Sequence, residues 1–102
     1  MYNLVKNTAS KISNGRTPET VLNVIVQEVG ELATEIAAKY DFTSYKRTNS
    51  EISVIEEAID AIVSLYDLIY LDSPDITEEE INYIASLKLD KWAEKVRNMR
   101  RI

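Results

Sequence analysis

The chain contains no cysteine and no histidine. The first absence excludes disulfides and thiolate metal sites, and the second removes the commonest zinc ligand and the usual general base at neutral pH. Metal binding or acid–base chemistry, if the chain performs any, falls to carboxylates. Glycine and proline occur only twice each in 102 residues, too few interruptions for the many turns of a sheet. No stretch approaches the roughly 18 uninterrupted apolar residues of a membrane span, and the N-terminus has no signal-like apolar run. Basic residues are also in the minority, 12 Lys and Arg against 17 Asp and Glu for a net charge of -5. That balance argues against broad binding to a nucleic-acid backbone, and a polyanionic substrate would need local help. The expectation is a cytoplasmic protein with one domain over residues 1–102, since this length supports one core but not two.

The chain reads as all-α, a bundle of about four helices. A first helix, from Tyr2 to about Ser13, stops at Asn14-Gly15, a pair that tolerates left-handed backbone angles. Thr17-Pro18 places an N-cap before a proline at the first helical position and opens a long helix to about Tyr40. Residues 41 to 50 lack apolar periodicity and form a loop carrying Lys46 and Arg47. Ser53 with Glu56, or alternatively Ser50, caps a third helix reaching about Leu71. Asp72-Ser73-Pro74-Asp75 is a turn, and Thr77 with Glu80 forms a capping box that begins a last helix running toward Arg97.

At about 100° per residue, Val21, Ile25, Val29, Leu32 and Ile36 form the core face of the second helix, with Glu28, Glu31 and Glu35 along its edge. The third helix is apolar around more than half its circumference. Ile52, Ile55, Ile59, Ile62, Val63, Tyr66, Ile69 and Tyr70 share one side of it, and the remaining stripe holds Glu56, Glu57, Asp60, Ser64 and Asp67. Carboxylates bordering a core are costly unless paired or bound to a cation, and few basic residues lie nearby in sequence. Acids three apart on a helix share a face, so Glu28 with Glu31 and Glu57 with Asp60 can converge from adjacent antiparallel helices. Such an all-oxygen set suits Mg²⁺ or Mn²⁺. Taken singly, each acidic pair is an ordinary solvated face.

With these residues the chain resembles the all-α nucleoside triphosphate pyrophosphohydrolases of the MazG-like and dimeric dUTPase group, whose pattern is EExxE followed by ExxD. Gln27-Glu28-Val29-Gly30-Glu31-Leu32 and Glu57-Ala58-Ile59-Asp60-Ala61-Ile62 carry the likeness, which covers roughly residues 17 to 97. Gln27 replaces the first glutamate, and Ser64 stands where many relatives place an aromatic residue. The resemblance implies Mg²⁺-dependent hydrolysis of a nucleoside triphosphate to the monophosphate and pyrophosphate by a dimer or tetramer, with Lys88 where relatives often carry lysine.

On that reading Glu28, Glu31, Glu57 and Asp60 are the metal ligands, and Glu31 or Glu35 is the general base. Lys39, Lys46, Arg47, Lys88, Lys91 and Lys95 are available for the triphosphate, and Tyr66 and Trp92 are candidates for stacking on a base. A third helix this apolar offers more greasy surface than a small bundle covers, so a homodimer at least is expected, with its interface on that helix. A non-catalytic helical interaction or regulatory module is the alternative. A di-iron carboxylate bundle is disfavoured because it normally adds Glu-x-x-His.

Overall fold

A computed structural model describes residues 1–12, 14–40 and 51–99. These form four helices and, among the described residues, no strand: α1 (Tyr2–Ala9), α2 (Pro18–Lys39), α3 (Glu51–Asp72) and α4 (Glu78–Met99). The segment carrying Lys46 and Arg47, and the terminal Arg100 and Arg101, lie outside the described residues.

Side-chain caps set two of the helix starts. At α2 the Thr20 amide donates to Thr17 Oγ1 at 3.2 Å and the Thr17 amide to Thr20 Oγ1 at 2.9 Å, so threonine closes a capping box in which glutamate is more usual. At α4 the Glu80 amide donates to Thr77 Oγ1 at 3.1 Å, and the Thr77 amide returns a weaker bond to Glu80 at 3.4 Å. Of the two starts open for α3, the Ser53 one is overturned, because the helix already runs at Glu51 and Ser53 lies inside it; Ser50 lies outside the described residues. The first helix is also shorter than its sequence suggests. After Ala9 the chain tightens into i→i+3 bonds, Lys11 N to Thr8 O and Ile12 N to Ala9 O, both 3.1 Å. Gly15 then takes a φ of +73°, a left-handed conformation that costs glycine little.

α2 and α3 form the main packed pair and α1 packs on α3. Arg16, just ahead of α2, meets Asp67 late in α3, whereas Glu31 meets Glu57 early in it, so the two helices run antiparallel. α3 is thus the middle of a row, flanked by α2 and α1. The buried apolar residues are Tyr2, Ala9, Val21, Ile25 and Ala61, all on the flanks where these helices touch. Arg16 fastens the turn before α2, donating twice to the Asp67 carboxylate at 2.9 and 3.1 Å and once to Asn14 Oδ1 at 3.1 Å.

Val29, on the core face of α2 by periodicity, is exposed, as are Ile55, Ile59 and Ile62 on the apolar side of α3. A row of helices covers flanks but leaves both of its broad faces open. α4 stands apart as well. Its first turn holds Glu78, Glu79 and Glu80 at the positive end of the helix dipole, and Glu78 accepts from Asn3 Nδ2 at 3.0 Å and from the Met1 amine at 2.8 Å. Beyond that anchor α4 makes no packed interface comparable to the other two, and none of its described residues is buried.

Candidate metal centre

Helical spacing builds the site. Glu28 and Glu31 project from the α2 edge one turn apart, and Glu57 projects from α3 where the two helices pass. One carboxylate oxygen from each of the three lies within 4.8 Å of the other two, a separation one divalent ion spans after small side-chain rotations. Asp60, one turn further along α3, is not part of this triad, but its charge raises the pKa of both Glu28 and Glu57.

The electrostatics are those of a crowded anionic cleft. Burial is the first cause that pushes Glu57 above the usual carboxylate range. A hydrogen bond shared with Glu31 comes next, then the charges of Glu31, Asp60 and Glu28. Glu28 is raised first by burial and then by Glu31 and Asp60. Neither Glu28 Oε2 nor Glu57 Oε2 meets a hydrogen-bond donor, and both are closed to solvent. Carboxylate oxygens in that condition are stabilised either by a proton or by a cation. The donor set, all hard oxygen with no nitrogen or sulfur, fits Mg²⁺ or Mn²⁺.

Two neighbours complete the cleft. Gln27 Nε2 donates to Glu31 Oε1 at 3.3 Å, a contact that orients one carboxylate of the triad. Sequence reasoning assigned Gln27 no such role, although its spacing of four residues from Glu31 was the available signal. Glu35 is buried at 5 % exposure and lines a cavity of about 230 Å³ with Glu31, Thr34 and Glu57. It therefore stands beside the triad.

A second, larger cavity of about 460 Å³ lies between α1 and α3, lined by Leu4, Val5, Thr8, Ile12, Val63 and Ser64 among others. Ser64 is one turn past Asp60 on the same α3 stripe, so this apolar groove begins about 6 Å along the helix from Asp60 and about 10 Å from Glu57.

Among the described residues, the remaining candidates are not gathered here. The Lys39 ammonium sits over the Tyr40 ring, 5.3 Å from its centre, at the far end of α2. Lys88, Lys91 and Lys95 are exposed on α4, which packs on neither α2 nor α3 to a comparable extent. Tyr66 meets Tyr2 edge-on, with ring centres 5.7 Å apart, so it is engaged in the α1–α3 contact. Trp92, also on α4, is 62 % exposed.

Comparison of the chain with protein-family models, with curated proteins and with solved structures finds no match. No described helix is long and apolar enough to cross a membrane.

Proposed function

We propose that this chain is a divalent-cation-dependent nucleoside triphosphate pyrophosphohydrolase of the MazG-like type, converting a nucleoside triphosphate and water to the monophosphate and pyrophosphate. The observation that supports it most is the convergence of Glu28, Glu31 and Glu57, two of which hold solvent-shielded oxygens with no donor. With Asp60 beside them they form an oxygen cage for Mg²⁺ or Mn²⁺. When bound, such an ion neutralises phosphate charge and lowers the pKa of coordinated water.

The chain's own groups do the rest. Glu31 or Glu35 takes the proton from the attacking water, and Gln27 holds Glu31 in orientation. The groove beside Ser64 receives the base and sugar, being apolar, bordered by the Thr8 and Ser64 hydroxyls, and of ordinary ligand-pocket volume. Triphosphate charge not met by metal is met by basic residues, with Lys39, Lys46, Arg47, Lys88, Lys91 and Lys95 as the candidates.

Pyrophosphate release from a panel of ribo- and deoxynucleoside triphosphates, with Mg²⁺ and with EDTA, tests the reading. Turnover is expected with at least one substrate, abolished by EDTA and lowered at least 100-fold by Glu57→Gln. No turnover with any triphosphate, or full activity in the Glu28→Gln/Glu57→Gln double variant, would refute it.

A further inference from the structure

The groove between α1 and α3 is largely aliphatic, yet an ion pair lines it as well: Leu4, Val5, Ile12 and Val63 share it with Arg16 and Asp67. No aromatic side chain is among its described lining residues, so a base held there has no ring to stack on and is gripped by its edge. The pair has hydrogen-bonding capacity to spare. A guanidinium carries five N–H donors, and Arg16 commits three of them, two to the Asp67 carboxylate and one to Asn14 Oδ1. Asp67 in turn accepts only those two bonds, about half of what a carboxylate can take. Because Arg16 Nη2 donates to Asp67 Oδ1 at 2.9 Å, its second N–H and the unused lone pair of that oxygen sit side by side, a donor next to an acceptor. Both side chains are about one-fifth exposed, shielded enough that a polar group brought against them and left unmatched is costly.

We infer that Arg16 and Asp67 read the hydrogen-bonding edge of the nucleobase, Asp67 accepting from a base N–H and Arg16 donating to the acceptor beside it. The inference rests on the nucleotide reading of this groove and names the residues that choose the substrate there. Register along α3 supports it. Glu57, Asp60, Ser64 and Asp67 follow one another at intervals of three, four and three residues, which keeps them on one stripe of the helix. The stripe runs about 15 Å from Glu57 to Asp67, a span that an extended nucleotide covers with its phosphates at the acids and its base at the ion pair. Adenine and cytosine meet the pair with an exocyclic amine beside a ring nitrogen, guanine and uracil with a ring N–H beside a carbonyl. The pair therefore tests for the presence of a nucleobase edge more than for its identity, and it rejects a ring whose donor is missing, because the Asp67 lone pair is then covered and unmet.

Paired substrates that differ only in the amine test it: ATP against purine riboside triphosphate, and CTP against pyrimidinone riboside triphosphate. In each pair the analogue without the amine is expected to lose roughly tenfold or more in kcat/KM, carried by KM. Asp67→Asn should raise KM for ATP and CTP by roughly tenfold with kcat within about twofold, and should bring the two members of each pair to within about threefold, since the new amide supplies a donor of its own. A merely structural ion pair would lower the melting temperature of that variant and leave the ratio within each pair unchanged, which would overturn the inference. Equal kcat/KM for both members of each pair in the wild type would overturn it too, and hydrolysis would still stand. Binding without chemistry separates the two readings. In EDTA, AMP or CMP should shift the backbone amide resonances of Thr8 and Val63 in the intact chain, and ribose 5-phosphate should not. Those shifts without hydrolysis of any triphosphate would support the ion-pair role and remove the hydrolase reading. Their absence with both nucleotides would refute the role.

Discussion

At the scale of single residues, crowding of carboxyls ties metal, proton and stability together. Glu57 and Glu28 hold protons more tightly in the folded chain than in the unfolded one. The folded state therefore carries the excess protons between the ordinary carboxylate range and the raised values, and its stability falls as pH rises through that window. Metal-free protein should melt at a lower temperature as pH is raised across it. Saturating Mg²⁺ should flatten the trend, because the cation occupies the place of the proton, and Glu57→Gln should weaken it without metal. Circular-dichroism melts at several pH values check this, and a constant melting temperature in metal-free protein would contradict it. Arg16 presents the opposite case. Its guanidinium is paired with Asp67 at roughly one-fifth exposure on each side, and the Asp67 hydrogen bond is the main cause that raises its pKa. Arg16→Ala leaves that carboxylate without its partner and should cost about 2 kcal/mol in denaturant unfolding.

At the scale of elements, the caps and the one helix-interior glycine give the clearest expectations. Thr77→Ala removes the acceptor for the Glu80 amide and should cost about 1 kcal/mol. Gly30→Ala should stabilise by about 0.5–1 kcal/mol, since a Cβ built there meets nothing within 4 Å and the helix gains propensity. Both are read from urea midpoints. The element order and the α2 and α4 starts could be read from Thr17-Pro18 and Thr77-Glu80, because capping is local chemistry. The convergence of Glu28, Glu31 and Glu57 was also readable, from i, i+3 spacing on two neighbouring helices. Burial was not. Val29 and Ile59 are as hydrophobic as Ile25, and periodicity cannot say whether a flank meets another helix or lies bare. The same limit applies to Tyr66, whose pairing with Tyr2 depends on where α1 packs. Asp60 matches the ExxD pattern equally well, yet it falls outside the triad, which spacing alone does not reveal.

At the scale of the whole molecule, α2, α3 and α1 form the packed body and α4 extends from it by one end. If two copies close over the apolar side of α3, melting should depend on protein concentration, rising as the chain is concentrated. A melting temperature independent of concentration would argue for a monomer. The attachment of α4 bears on how the chain opens. Its N-terminal turn is fastened through Glu78 to Asn3 and capped by Thr77, while Trp92 and Met99 near the other end are exposed. Fraying therefore has a direction. Amide hydrogens in this helix should exchange with deuterium in a gradient, slowest around Ile81 and fastest toward Met99, without any of the helix row coming apart.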